Sequence, residues 1–161
     1  MIVISNTSPL TNLAAIGQFS LLQSLFGQIE IPVAVSGELS AGGKNWPGAA
    51  EAAAANWVRI KTVNNPALVD ALRLDLDFGE SEAIALAIES RADLVLLDEQ
   101  SARFAAQHFN LRVMGVVGIL LRAKNMTLLN SVRPHLDALR QQAGFFLSEP
   151  LYQHALQLAG E

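Results

Sequence analysis

Residues 94–97 form a wholly apolar run, Leu-Val-Leu-Leu, which is followed at once by two acids, Asp98 and Glu99. A short aliphatic run that ends in a charge is typical of a strand buried on both faces. Strands of this kind belong to parallel sheets that helices cover on either side. The run therefore predicts an α/β fold.

The remainder of the chain alternates short strands with helices, as such a fold requires. Further strands are predicted at residues 2–4, 29–32, 58–61 and 112–114, with 58–61 at an edge. A first helix is expected to begin at Pro9 with Ser8 as its cap. The other helices are predicted at residues 19–26, 33–39, 47–56, 66–74, 79–88, 101–109, 116–124 and 128–142, with a last helix entered through Ser148. This alternation predicts a three-layer α/β/α arrangement around a mainly parallel sheet.

The composition of the chain excludes several classes of protein. The 161 residues fit one domain, residues 1–161, and the 51 % of hydrophobic residues supply a large core. There is no cysteine, which excludes disulfides, thiolate zinc sites and cysteine nucleophiles. No stretch has the pattern of a signal peptide or a membrane span, so we expect a cytoplasmic protein without membrane contact.

The charge of the chain is unevenly distributed. Residues 1–99 carry 5 basic and 12 acidic side chains, whereas residues 100–161 carry 6 basic and 3 acidic ones. A metal-dependent phosphodiesterase needs an acidic cluster for cations and a basic surface for phosphates. Scattered surface charge would give the same counts.

Polar residues follow two of the predicted strands. Asn6 follows the first strand, and Asp98 with Glu99 follows the run at 94–97. In parallel sheets, ligands bind beyond the carboxyl ends of the strands, where Glu80 would also lie at the start of its helix. Glu38 lies on the helix after the second strand. Oxygen ligands of this kind suit Mg²⁺ or Mn²⁺, although each acid taken singly is more often a surface residue or a helix cap.

Other catalytic patterns are missing from the sequence. His108, His135 and His154 show neither metal-ligand nor triad spacing. There is no Gly-x-Ser-x-Gly elbow and no phosphate-binding glycine loop ending in Gly-Lys. These absences disfavour serine hydrolases, nucleotide kinases and dinucleotide-dependent dehydrogenases.

Four pieces of the sequence, taken in order, resemble a known family. They are Val-Ile-Ser-Asn-Thr-Ser-Pro-Leu at 3–10, Ile31-Pro32 with Glu38-Leu39, Gly-Glu-Ser-Glu-Ala-Ile-Ala-Leu-Ala at 79–87, and Leu-Leu-Asp-Glu at 96–99 followed by Ala102-Arg103. Together they resemble a PIN domain, specifically the small prokaryotic group often encoded beside a short partner protein. The resemblance runs almost from end to end.

The resemblance implies a metal-dependent ribonuclease that uses Mg²⁺ or Mn²⁺. It assigns the catalytic and metal-binding roles to Asn6, Glu38, Glu80 and Asp98. Glu82 and Glu99 are then auxiliary metal ligands or groups that support the ligands from behind. On a regular helix Glu80 and Glu82 cannot face one point, although both could reach it from the first turn. Most PIN nucleases have aspartate where this chain has Asn6. An amide oxygen can bind a cation, but it brings no negative charge and cannot act as a base.

The resemblance also implies partners. RNA is the expected substrate, and a small antitoxin protein is the expected binding partner of a toxin. The apolar helical segments at 19–26 and 116–121 could form the face of a homodimer or a face for the partner, although core packing would use most of the same side chains. The candidate substrate contacts are Ser8, Arg103, Arg122 and Lys124.

Three interpretations of the function follow from the sequence. The first is a metal-dependent endoribonuclease that is the toxin of a toxin and antitoxin pair. The second is a PIN-like protein weakened or silenced by Asn6 that binds RNA or a protein. The third is an unrelated α/β fold in which the acids are merely exposed.

Overall fold

A computed structural model describes all of residues 1–161 and contains a five-stranded, fully parallel sheet. The strands are β1 (Val3–Ser5), β2 (Ile29–Pro32), β3 (Val58–Lys61), β4 (Leu94–Leu96) and β5 (Val113–Met114). The ten helices are α1 (Thr7–Ala15), α2 (Leu21–Phe26), α3 (Val33–Ala41), α4 (Ala49–Ala54), α5 (Pro66–Leu72), α6 (Phe78–Ser90), α7 (Gln100–His108), α8 (Val116–Asn125), α9 (Arg133–Gln141) and α10 (Glu149–Leu158).

The order of strands across the sheet is β3-β2-β1-β4-β5. The chain builds outward from β1 through β2 and β3, and then crosses to the other side of β1 for β4 and β5. Ile4 of β1 is in register with Glu30 of β2 on one side and Val95 of β4 on the other. The direction of winding therefore reverses between β1 and β4. Beyond the carboxyl ends of these two strands lies the crevice where open α/β sheets bind ligands.

The two faces of the sheet bury separate cores, because successive side chains of a strand point to opposite faces. In β4, Leu94 and Leu96 belong to the larger core, which contains side chains from α1, α2, α8, α9 and α10. Val95 and Leu97 belong to the smaller core, which contains side chains from α6 and α7. The predicted three-layer α/β/α fold is thus confirmed, and the run at 94–97 is buried on both sides.

Most predicted helix bounds differ from those of the structure by one or two residues, and two of the wrong starts have a local reason. The first helix begins at Thr7 rather than Pro9, with Asn6 at the cap position and no cap from Ser8. The helix predicted over 128–142 begins only at Arg133, because Pro134 occupies its first turn and Thr127, with a φ of 60°, interrupts the chain after α8. The bounds of β2 and β3 agree with the prediction.

The helices of the chain are short. None of them is both long and apolar enough to cross a membrane.

Candidate active site

The segment Asn6-Thr7-Ser8 leaves the carboxyl end of β1 and enters α1. Asn6 occupies the cap position, yet its side chain caps nothing and is only 4 % exposed. Its Oδ1 atom is buried without a hydrogen-bond partner. A buried polar atom left in this state costs about 1 to 3 kcal/mol, so its retention calls for a ligand such as water or a cation.

Asp98 lies beside this segment, just beyond β4, and is held by three donors. The Ser8 hydroxyl donates to Oδ2 over 2.9 Å, and the Asn12 amide donates to the same oxygen over 3.2 Å. The backbone N–H of Val116, the first residue of α8, donates to Oδ1 over 2.7 Å. Burial raises the pKa of Asp98, and these hydrogen bonds with the nearby charge of Arg103 offset only part of that effect.

Glu38 reaches the other side of the same segment from α3. The Thr7 hydroxyl donates to its Oε2, and the backbone N–H of Gly79 donates to its Oε1 over 3.0 Å. A β-carbon at position 79 would overlap the Glu38 carboxylate. Glycine at the start of α6 therefore permits the close approach of the Glu38 carboxylate. The segment after β1 thus contacts two acids, Glu38 through Thr7 and Asp98 through Ser8.

Glu80 is the most buried acid of the region, at 5 % exposed. It forms a capping box at the start of α6: its N–H donates to Asp77 Oδ1 over 2.8 Å, and its Oε2 accepts the Asp77 N–H over 3.2 Å. Burial raises the pKa of Glu80, and the charges of Asp77, Glu99 and Glu38 raise it further. Glu80 therefore lies within the electrostatic reach of Glu38 and Glu99.

The two auxiliary acids are placed differently from each other. Glu82 Oε1 accepts the backbone N–H of Ala34 over 2.8 Å, at the first turn of α3. Two residues apart on a regular helix, Glu80 and Glu82 point in different directions, and each meets its own helix N-terminus. Glu99 is exposed and lines the same cleft as Asp98.

Of the three predicted phosphate-binding cations, only Arg103 reaches this region. It is half-buried and forms none of the three salt bridges of the protein. Arg122 instead lies over the ring of Phe26, with 5.5 Å between the guanidinium carbon and the ring centroid. Lys124 is paired with Glu161 over 2.9 Å. The structure therefore does not bring these cations together.

Gly115 makes room for Arg103 beside Asp98. An added β-carbon would lie 2.9 Å from Arg103 Nη1 and 3.1 Å from Asp98 Oδ1. Both distances are closer than ordinary van der Waals contact, so a side chain here would push the guanidinium outward. Gly115, just before α8, thus allows the Arg103 guanidinium to lie close to the Asp98 carboxylate.

Asp98, Glu99 and Arg103 open into a cleft of about 950 Å³. Its lining does not include Asn6, Glu38 or Glu80. One part of its lining is polar and includes Ser8, Asn12, Asp98, Glu99 and Arg103. The other part is largely apolar and includes Met114, Val117, Leu121, Phe146 and Leu151.

The donors of the region fit a divalent cation only in part. No group of three or more His, Cys, Asp or Glu side chains is placed to hold one ion. Mg²⁺, however, usually keeps several waters and is bound through one or two carboxylates together with substrate phosphates. The unpartnered Asn6 oxygen suits an ion of this hydrated kind. A closed cage of protein carboxylates is not formed.

Sequence reasoning missed three contributors: Asn12, Thr7 and Gly115. Asn12 lies four residues after Ser8 on α1, and this spacing places both side chains on one helix face. The four-residue spacing from Ser8 is therefore a local signal that predicts a role for Asn12. The contacts of Thr7 with Glu38 and of Gly115 with Arg103 depend on long-range packing and had no local signal.

A family model described as DUF3368, a PIN domain, matches residues 2–161. No curated protein matches the chain.

Proposed function

The chain belongs to the PIN-domain family, whose members are generally nucleases, and from that premise we propose that it hydrolyses RNA phosphodiester bonds with Mg²⁺ or Mn²⁺ as cofactor. Membership of this family rules out the interpretation as an unrelated α/β fold. The reaction is endonucleolytic, and water is the nucleophile.

The observation that carries the proposal is the buried, unpartnered Oδ1 of Asn6 at the point where the winding of the sheet reverses. The next two residues, Thr7 and Ser8, hold Glu38 and Asp98 by hydrogen bonds. A bound divalent cation would supply an activated water and neutralise charge on the phosphate. Asn6 offers an oxygen without charge, so Glu38, Glu80 and Asp98 supply the negative charge.

The residues that line the cleft indicate how a phosphate of the substrate would be bound. Arg103 is the only cation among the residues that line it, and it forms no ion pair within the protein. Its guanidinium can therefore bind a phosphate oxygen without first breaking an internal contact. Ser8 also lines the cleft, so it can contact the substrate as well as hold Asp98 through its hydroxyl.

The biological setting belongs to the same proposal. The protein acts in the cytoplasm as the toxin of a toxin and antitoxin pair, functions as a homodimer, and is neutralised by a small protein that covers the cleft. Co-purification with the product of a neighbouring short gene, followed by loss of cleavage on adding that protein, tests this role. Full activity in the presence of the bound partner would contradict it.

Cleavage of a mixed, structured RNA by the purified protein tests the activity. We expect products in Mn²⁺ or Mg²⁺ and none in EDTA, with single-stranded DNA of the same sequence as the substrate control. Cleavage that persists in EDTA would contradict a metal-dependent reaction.

A second candidate function is a catalytically silent PIN domain that binds RNA. It is favoured by the lack of a three-acid metal cluster and by the hydrogen bonds that already occupy Glu38, Glu80, Glu82 and Asp98. Metal-independent RNA binding without products, from several RNAs and a folded protein, would support this candidate.

A further inference from the structure

One large side chain beside the acidic cleft is exposed without an evident structural reason. Phe146 lies between α9 and α10 and is 86 % exposed, the highest value among the large hydrophobic residues. It lines the same cleft as Asp98 and Arg103. A single exposed aromatic is not unusual, so its position and rigidity decide whether it has a function.

The backbone that carries Phe146 is fixed on both sides. Phe145 packs against the larger core, and its N–H donates to the carbonyl of Leu139 over 2.9 Å. Leu147 is 5 % exposed, and its carbonyl accepts an Arg140 Nη2–H over 2.8 Å. With its neighbours anchored inward, Phe146 projects outward from a backbone that is already held, so only the ring itself has to be ordered when a ligand packs on it.

The Arg140 contact is itself supported. Its guanidinium lies over the ring of Tyr152, with 4.3 Å to the centroid, and pairs with Glu149 over 3.2 Å. Both partners belong to α10. The segment that presents Phe146 is therefore tied to a helix as well as to the core.

The two parts of the cleft match the two parts of a nucleotide. Arg103 and the acids form the polar part, where a phosphate and its cation fit. Phe146, with Met114 and Leu151, forms the apolar part, where a flat base fits. Aromatic rings stack on any base of a single strand, whereas a base inside a duplex is already stacked.

We propose that Phe146 is the base-stacking residue of this site and selects single-stranded RNA by holding one nucleobase next to the phosphate bound at Arg103. This inference rests on the proposed function for the identity of the ligand. It adds a specificity-determining residue outside the acidic cluster.

Binding of a fluorescent 12-residue oligoribonucleotide, measured by anisotropy in EDTA so that no cleavage occurs, tests the inference. Stacking of one base predicts that Phe146→Ala binds between about 5-fold and 150-fold more weakly, while Phe146→Tyr retains affinity. The matched control is Phe104→Ala, because Phe104 is 75 % exposed on α7 and does not line this cleft. Its affinity should be unchanged, and thermal melts should confirm that all variants fold.

A base-deletion series identifies the contact. Each base of the oligoribonucleotide is replaced in turn by an abasic residue. At one position of the RNA this replacement should weaken binding to the wild-type protein, and the same replacement should have no effect on binding to Phe146→Ala. Because Arg103 is the only cation lining the cleft, the slope of log affinity against log salt should be shallow, about −0.7 for one phosphate.

Wild-type affinity in Phe146→Ala, equal losses in Phe146→Ala and Phe104→Ala, or no RNA binding by the wild type would each overturn the inference. A parallel cleavage assay in Mn²⁺ separates this result from the proposed function. Cleavage with no dependence on Phe146 would leave the nuclease standing and remove the stacking role. Binding that depends on Phe146, without any cleavage, would support the stacking role and contradict the nuclease.

Discussion

The hydroxyl of Ser8 donates a 2.9 Å hydrogen bond to Oδ2 of Asp98, across 90 positions of sequence. It joins the residue that enters α1 to the residue that follows β4, and so bridges the two strands at the reversal point. Asn12 reinforces the bond by donating to both partners. The acid is thereby fixed in place before any ligand arrives.

Ser8→Ala should lower the free energy of unfolding and shift the pH profile of RNA cleavage. Removing a hydrogen bond to a charged group costs about 1.5 to 3 kcal/mol of unfolding free energy. Because this bond lowers the pKa of Asp98, its loss should raise that pKa and move the acid limb of RNA cleavage to higher pH. Urea unfolding and a pH series measure both effects. Ser24→Ala is the control, because the Ser24 hydroxyl bonds only the backbone carbonyl of Ser20, just before α2. Identical profiles in Ser8→Ala and the wild type would contradict the role of Ser8.

Asn6→Asp should make stability depend on metal. A buried carboxylate at this unpartnered position, near Glu38 and Asp98, costs more than the neutral amide when no cation balances it. The melting temperature should therefore fall in EDTA and recover in Mn²⁺, with a larger rise than the wild type shows. Calorimetry should find tighter Mn²⁺ binding.

The exposed Asn130→Asp is the matched control for that change. It should melt at the same temperature with Mn²⁺ or EDTA as the wild type does. Equal metal responses in Asn6→Asp and the wild type would place Asn6 outside the cation site.

Gly115→Ala should reduce cleavage with little effect on stability. The added methyl would lie 2.9 Å from Arg103 Nη1 and 3.1 Å from Asp98 Oδ1. The flexible end of the arginine can move aside at low cost, whereas the Asp98 carboxylate is held by the N–H of Val116. The guanidinium would then leave the phosphate position, so KM for RNA should rise. In the control Gly37→Ala, the methyl meets no atom within 4 Å, and KM should stay the same. A normal KM in Gly115→Ala would show that Arg103 does not bind the substrate.

Glu161 should make stability depend on acid pH. Partial burial by itself raises its pKa, but hydrogen bonds from Lys124, Ser131 and the backbone N–H groups of Val132 and Arg133 hold the pKa at about 2, below the usual 4.5. The folded state therefore favours the charged form. This contribution is fully present above pH 4.5 and is lost as pH falls towards 2.

The free energies of unfolding of the wild type and Glu161→Gln test this linkage. The wild type should be more stable at pH 7, and the difference should shrink as pH falls from 4.5. Lys124→Met removes one of the same partners, so the double variant should lose less stability than the two single losses combined. A difference independent of pH would contradict the depressed pKa.

The fold could be predicted largely because its signals are local. Four aliphatic residues at 94–97 define a strand buried on two faces, and β2 and β3 are bounded by residues that end strands. The strand-end rule also predicted that Asn6 and Asp98 lie at one edge. The start of α9 was missed because Pro134 had been placed inside a helix, where its ring does not fit.

The partners of the acids could not be predicted, because they depend on how distant elements pack. Nothing local to Glu82 shows that its carboxylate meets the N–H of Ala34, and nothing near Lys124 shows its pairing with Glu161. The exposure of Phe146 depends on contacts of its neighbours with Leu139 and Arg140, six and seven positions away, in a loop without a periodic pattern. Periodicity predicts elements, whereas side-chain pairing across 28 to 90 positions requires the folded chain.

The most direct measurement of the central claim compares two Asp→Asn variants that flank β4. Asp98 lies at its carboxyl end in the cleft, and Asp93 lies at its amino end, where Oδ2 accepts the N–H of Ile2 over 2.6 Å. With both proteins folded by thermal melts, RNA cleavage in Mn²⁺ should fall by a factor of about 100 or more in Asp98→Asn and stay at the wild-type rate in Asp93→Asn. Equal rates in Asp98→Asn and the wild type would contradict a nuclease site at the ends of β1 and β4.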